Sequence, residues 1–419
     1  MLLLITACAL LLAALAVERV RLDRARAAVP IRIAVTGTRG KTTVARLLAS
    51  VLREDGHTVL AKTTGSEPCL VLPDGSIERI RRRGPASILE QKALLHRAAR
   101  LGADALVAEV MSIHAENHEV EGRRIFVPHL VLATNFFVDH VEAQGDTEED
   151  VGVVLALAVP PGATVLVPEG ACPASFRSGV AGAGATLVEV PPGAHGLPRP
   201  TFPENLDLVV AAARRLGVGD DALRHGIASA RHDVGALGIW KARPHTGREH
   251  DAATPPTFLV NAFAANDPGA TMRVHGEVME QLGVPTGSAP AGARLPCVGL
   301  LSLRADRGDR TLQWADALAE GLLGRFDALL VTGLHAAALE RRVRRVRDRA
   351  SRPPGEPPEA PPTPIRVVRR ASPERLTRAA LSELGPDGGV VFGFGNIGGP
   401  GVELVEHWSR TGEAVAHGH

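Results

Sequence analysis

The residues best equipped for chemistry lie at the front of this chain, where Gly37-Thr38-Arg39-Gly40-Lys41-Thr42-Thr43 separates the apolar run IRIAV from VARLLASVLREDG, whose apolar positions recur at helical spacing before a glycine stop. A glycine-rich turn that opens a helix is a phosphate holder. The N–H groups of the first helical turn converge on phosphate oxygens, Lys41 adds a positive charge, and the Thr42 hydroxyl can hold Mg²⁺. Thr38, Gly40 and Thr43 belong to the same nucleotide-binding turn. The widespread GxxxxGK[ST] loop would need glycine at position 35, where Val35 stands, so this is a shortened variant.

Magnesium on a triphosphate takes oxygen ligands, and one or two carboxylates with water suffice. Glu109 ends the apolar segment ALVAEV, where an acid is costly unless paired or metal-bound. The next apolar segment, HLVLATNF, runs on to Asp139 and His140. A lone histidine after a strand is usually structural, but two polar strand ends beside a phosphate loop make Thr42, Glu109 and His140 the candidate metal ligands.

To position these groups, the strand-loop-helix unit must sit in a sheet. The pattern recurs: helix SILEQKALLHRAARLG, strand ADALVAEV, strand HLVLATNF, the turn-and-strand VPPGATVLVPEG, and helix ENLDLVVAAARRLGV. Strands alternating with helices predict a parallel α/β sheet that binds ligands at the carboxyl ends of its strands. A second, smaller α/β unit has strands TFLVNAF, PCVGLLSL, DALLVTG and GGVVFGFG. The expected organisation is an anchor at residues 1–27, a central P-loop domain at 28–240 and a C-terminal domain at 241–419. Periodicity lapses in ARHDVGALGIWKARPHTG, and in the arginine- and proline-rich stretch near 341–365 Ser351 to Pro364 is read as an exposed loop, with the arginines either a basic patch for anionic polymer or lipid head groups or a solvated helix end.

At 419 residues the chain is long enough for several cores, and 47 basic against 46 acidic residues leave no field to attract nucleic acid. Four cysteines without CxxC spacing argue against a zinc site or a disulfide framework. Residues 2–17 carry no charge and would span about 24 Å as a helix, short of a hydrocarbon core of about 30 Å. Ala14-Leu15-Ala16 could be a signal-peptide cleavage site, but no basic segment precedes the apolar run. Arg19, Arg21, Arg24 and Arg26 follow it instead, which favours an uncleaved single-pass anchor with the catalytic body in the cytoplasm.

The loop GTRGKTT, Glu109 and the segment from Asn135 to His140 resemble the ATP-dependent Mur ligase superfamily, which joins amino acids to carboxylates through acyl phosphates. LAKTTG at 60–65, Asn261 to Asp267, Arg304-Ala305-Asp306-Arg307-Gly308-Asp309-Arg310-Thr311 and Gly393 to Gly398 are similar, in the same order, to the ligase subunit family of poly-γ-glutamate synthases, the CapB/PgsB type. The resemblance implies a Mur-ligase-like fold preceded by a transmembrane helix, ATP and Mg²⁺ as cofactors, and glutamate and a poly-γ-glutamate chain as substrates. It also implies a small integral-membrane synthase subunit and export components as partners. Lys41 and Thr42 would hold the triphosphate and metal, Glu109 and His140 would ligate the metal, and the C-terminal domain would close over the nucleotide. Asn205 would lie on the adenine side, although capping its own helix explains it equally well. Asn266 and Asp267 would contact nucleotide from the C-terminal domain. Arg304, Arg307 and Arg310 are candidate clamps for carboxylate or phosphate, with surface pairing to Asp306 and Asp309 as the alternative.

The chain departs from the family in three ways. No lysine lies between Lys92 and Lys241 to be carbamylated at the metal. The interdomain arginine is not evident, leaving Arg231, Lys241 or Arg243 as substitutes. The long N-terminal substrate domain of cell-wall enzymes is missing, which disfavours a nucleotide-linked peptidoglycan precursor as acceptor. Rival readings are another Mur-type or folylpolyglutamate-type ligase and a P-loop transport ATPase, the last disfavoured by Val35 and by the lack of a recognisable acidic pair.

Overall fold

The computed structural model describes residues 1–65, 68–82, 84–193, 202–230, 235–242, 256–265, 267–283, 295–305, 308–349, 363–369, 371–385 and 388–417. Asn266, Arg307, Arg231 and Arg243 lie outside the described residues. The chain divides into two compact units, Met1–Asp233 and Val234–His419.

The first unit opens with helix α1 (Leu2–Ala27), continues through β1 (Ile31–Thr36) and helix α2 (Lys41–Glu54), and places β2 (Val59–Thr63), β3 (Cys69–Val71) and β4 (Ile77–Arg79) before helix α3 (Glu90–Arg100). Strand β5 (Ala105–Glu109), the short helix α4 (Ala115–Glu119), β6 (Leu130–Ala133), β7 (Thr164–Pro168) and β8 (Thr186–Val190) follow. The eight strands lie in the order β4-β3-β2-β5-β1-β6-β7-β8, with neighbours parallel except at β2–β3 and β3–β4, which pair antiparallel. Strands buried on both faces read as continuous apolar runs, and this sheet obeys the rule. Ile33 and Val35 pack with α2 and helices Pro203–Arg215 and Asp220–Ser229, while Ala34 joins Leu94, Leu95 and Ala98 of α3 and Phe176 on the other face. The expected parallel-rich α/β sheet is present, and helices cover both of its faces.

Helix α1 is longer than its uncharged stretch. At 26 residues it is long and apolar enough to cross a membrane, its first part is exposed, and only Leu22 and Ala25 join the core. Arg26 anchors this end by donating from Nε to the Ile125 carbonyl at 2.9 Å, and Glu18 pairs with Lys92.

The second unit is a seven-stranded sheet. Its strands are β9 (Gly238–Ala242), β10 (Thr257–Asn261), β11 (Cys297–Ser302), β12 (Ala328–Thr332), β13 (Ile365–Val367), β14 (Gly389–Gly395) and β15 (Gly412–His417), ordered β13-β12-β11-β14-β10-β9-β15. The first five in that order run parallel, while β9 and β15 are antiparallel additions at one edge. Strand β9 spans the expected boundary at residue 240 and belongs to this unit. The arginine run of the 341–365 stretch is the end of helix Ala336–Arg349, the helix-end alternative, so the loop does not begin at 341; Arg342 forks onto Asp316 at 2.8 and 3.0 Å, and residues 351–362 of the expected loop lie outside the described residues. Ridges of alternating Val, Leu and Arg suit an amphipathic helix, and its polar face carries the charge.

Candidate active site

Strand β1 ends at Thr36 and α2 begins at Lys41, so the chain reverses in four residues. Gly37 turns with φ +113°, and a Cβ there would sit 2.2 Å from Thr134 Oγ1. Gly40, at φ +81°, precedes the helix, and a Cβ there would sit 2.6 Å from Asn205 Oδ1. Dihedral and space both demand glycine at these two positions.

The end of β6 clamps the turn. Thr38 N donates to the Asn135 carbonyl at 3.2 Å, Arg39 N donates to Asn135 Oδ1 at 3.0 Å, and Asn135 Nδ2 donates to the Arg39 carbonyl at 3.0 Å. Thr134 Oγ1 donates to the same carbonyl, and Thr38 Oγ1 latches the Phe137 carbonyl at 2.7 Å. The Thr38 hydroxyl therefore shapes the loop. No side chain caps α2, so the N–H groups of Lys41, Thr42 and Thr43 form the positive end of its dipole.

Lys41 Nζ donates to the carbonyls of Gly37 at 2.6 Å and Thr38 at 3.3 Å. Burial lowers its pKa below that of a free lysine. Nearby Glu109, Asp139 and Glu121 oppose this and Arg39 reinforces it.

Glu109 is paired in register with Val35, the second-last residue of β1. Its Oε2 accepts from Thr64 Oγ1 at 2.7 Å, while Oε1 is buried without a hydrogen-bond partner. Thr64 follows β2, and a Cβ on the neighbouring Gly65 would lie 2.4 Å from Thr42 Oγ1. Three element ends thus gather a carboxylate and two hydroxyls. A buried carboxylate with one bare oxygen beside hydroxyls is a donor set that suits a hard divalent cation.

His140 lies beyond β6 in the left-handed region, φ +51°, which is strained for a residue with a Cβ. Its N–H donates to Asp139 Oδ1 at 2.9 Å, and Asp139 pairs with Arg39 of the loop at 3.4 Å. Lys41, Thr42, Glu109 and the Asp139-His140 segment therefore share the carboxyl edge around β1. Among the described residues no group of three or more His, Cys, Asp and Glu side chains could hold a metal by itself. An ion here would complete its shell with phosphate oxygens and water.

Asn205 is not the cap of its helix. Residue Phe202 holds that position, and the buried Asn205 side chain lies against Gly40 with Oδ1 unpartnered.

Sequence patterns did not single out the layer beneath Glu109. Helix α4 runs into a π-helical turn, Val120–Phe126, a geometry that recurs at functional sites. Its Glu121 is buried and accepts from Gln91 Nε2 at 2.6 Å, Ser112 N at 2.9 Å and Met111 N at 3.1 Å, while Gln91 Nε2 also donates to the Glu109 carbonyl at 3.2 Å. Next to it His118 is 1% exposed and neither ring nitrogen has a partner. Burial, and secondarily the charge of Lys41, push its pKa down to about 4. In the unfolded chain this group titrates near 6.5. Between those values the unfolded state binds the extra proton, so its contribution is present above pH 6.5 and is lost as pH falls toward 4. Relative to His118→Leu, the wild type is expected to lose about 2 kcal/mol of apparent unfolding free energy between pH 6.5 and 5, measured by urea titration at each pH. Parallel pH profiles for the two proteins would refute a buried neutral imidazole.

In the second unit, Asp267 caps helix Pro268–Gln281 by accepting from Ala270 N at 2.8 Å. Arg304 follows β11, and a Cβ on Gly398 would lie 2.8 Å from its Nη1, so its guanidinium rests on the loop after β14. Arg310 is buried in helix Gly308–Ala319.

Residues 35–153 match the Mur ligase middle domain, and residues 248–411 match the poly-gamma-glutamate synthase CapB C-terminal domain. PGA synthase CapB of Bacillus subtilis (strain 168) is 26% identical over 322 residues, covering 75% of this chain and 78% of that protein. Capsule biosynthesis protein CapB of Bacillus anthracis is 28% identical over 298 residues, 68% of this chain and 60% of that protein. Among solved structures, E. coli FolC with ADP superposes with a TM-score of 0.61 at 19% identity, over 94% of this chain and 92% of that one. A bifunctional folylpolyglutamate synthase/dihydrofolate synthase with Mn, AMPPNP and L-glutamate bound gives 0.61 at 17% identity, over 93% of each. Such likeness at low identity establishes the fold.

Proposed function

We propose that this chain, whose residues 35–153 match the Mur ligase middle domain and whose residues 248–411 match the poly-gamma-glutamate synthase CapB C-terminal domain, is an ATP-dependent amide ligase that adds glutamate to a growing poly-γ-glutamate chain. The observation that carries the proposal is the match of residues 248–411 to the CapB C-terminal domain, and the carboxyl edge around β1 supplies chemistry that suits it.

In the first step a terminal carboxylate oxygen of the chain attacks the γ-phosphorus of ATP, the bond to the β-phosphate oxygen breaks, and ADP leaves. In the second, the amine of glutamate attacks the acyl carbon, loses a proton and expels phosphate. The protein's work is positioning and charge neutralisation. The α2 amides and Lys41 hold phosphate oxygens, with Thr38, Gly40 and Thr43 shaping the turn. Thr42, Glu109 and His140 would hold Mg²⁺, which when bound neutralises phosphate charge. Asn205 would fix the nucleotide side of Gly40. In the second unit, Arg304 and Arg307 would bind carboxylate or phosphate, and Asn266 and Asp267 would contact nucleotide. Helix α1 would anchor the protein as a single pass with the catalytic body in the cytoplasm, beside a small integral-membrane synthase subunit and export components.

The test is purified protein in detergent with ATP, Mg²⁺ and each glutamate enantiomer, followed for ADP and γ-linked polymer. Glutamate-dependent ADP release with polymer is expected. ADP release that requires a folate acceptor, or needs no amino acid, would replace this function by a folate-type ligase or an ATPase.

A further inference from the structure

Between α3 and the β3–β4 hairpin the first unit holds a cavity of about 500 Å³ whose lining includes Lys62, Glu78, Arg79, Arg81, Glu90 and Arg97. None of these residues belongs to the phosphate site. Lys62, on β2, is 1% exposed, and its ammonium donates to Glu90 Oε2 at 2.9 Å and Met111 Sδ at 3.3 Å. Glu90 is shared, because Arg82 forks onto the same carboxylate at 2.7 and 3.1 Å. The other carboxylate, Glu78, is taken by Arg97 through two bonds of 2.7 Å. Among the described residues, two carboxylates therefore face four cations, Lys62, Arg82, Arg97 and Arg81 on the exposed rim, with Arg79 beside them on the same rim. Burying an ammonium that must share its counter-ion is costly, and desolvation lowers the Lys62 pKa accordingly. An incoming anion would offset that cost.

The cavity is tied to the phosphate site through single residues. Met111, which accepts from Lys62, also donates its N–H to Glu121, and Gln91, next to Glu90, donates to the Glu109 carbonyl. Each residue of a γ-linked glutamate chain carries a free α-carboxylate, for which guanidinium forks are matched partners. We infer that this cavity is the acceptor subsite, holding the α-carboxylates of the γ-glutamyl chain while its end reaches the phosphate site. The inference rests on the proposed function and names the surface on which it acts.

The test titrates the full-length protein in detergent with a fluorescein-labelled γ-linked glutamate decamer, read by anisotropy, and with a fluorescent ADP analogue. Arg79→Glu/Arg81→Glu reverses two exposed rim charges, and Arg79→Gln/Arg81→Gln is the milder pair in case reversal disturbs the hairpin. The expected result is decamer affinity at least tenfold weaker in the reversed pair and about threefold weaker in the neutral pair, with ADP-analogue affinity within twofold of wild type. Unchanged decamer affinity in both pairs overturns the subsite while leaving the proposed function standing. Failure of the wild type to bind the decamer while it binds the ADP analogue overturns both. Equal loss of decamer and ADP-analogue binding in the neutral pair shows a general disturbance and overturns the subsite.

Discussion

Lys41→Ala is expected to lower glutamate-dependent ADP release by about 10³-fold while leaving the fold intact. The ammonium stands at the mouth of a helix whose first-turn amides have no side-chain cap, and it lies within reach of the Glu109 charge. Phosphoryl transfer is catalysed almost wholly by such fixed positive groups, and losing one preorganised donor costs roughly 10²–10³-fold, more when it carries full charge. Stability should move little, because removing a desolvated ammonium offsets the loss of its bonds to the Gly37 and Thr38 carbonyls. Steady-state kinetics with a thermal melt check both parts. A variant within tenfold of wild type would remove Lys41 from the phosphate site.

Glu109→Gln should raise the metal concentration for half-maximal activity by about 100-fold or more, since even an outer partner of a metal ligand is worth about 10–100-fold. The amide retains an acceptor for Thr64 Oγ1 but places a neutral group where the bare Oε1 now sits beside Lys41. The same change should leave the metal-free protein as stable or more stable, because a buried carboxylate oxygen without a partner is costly. The two effects have opposite signs, and a purely structural Glu109 would not separate them. Metal titration of ADP release and the Tm shift caused by Mg²⁺ with an ATP analogue measure them. Loss of stability together with an unchanged metal requirement would end the assignment.

Much of this is legible in the sequence. The IRIAV run, the Gly37–Gly40 turn and the helix after it were readable because apolar period and glycine placement are local constraints, and β1 and α2 fall there. Glu109 was legible because an acid ending an apolar strand is conspicuous in any window. The short strands β3, β4 and β13 were not, because three residues carry too little periodicity, and β9 and β15 pair only with partners distant in the chain. Asn205 shows the limit most plainly. Its position beside a helix start made capping a fair explanation, and only the packing of that helix on the sheet sets it against Gly40.

Local patterning by itself thus determined the class of fold, the identity of the phosphate turn and the apolar leading helix, all of which depend on residues within a few positions of one another. Tertiary structure alone decided which distant groups meet: Thr64 with Glu109, Thr134 and Asn135 with the turn, Glu121 with the segment after β5, and Lys62 with Glu90. The physical reason is that a parallel sheet is assembled by crossovers, so strand order and burial, rather than sequence spacing, choose the neighbours of each strand end and set the local dielectric that gives their charges effect.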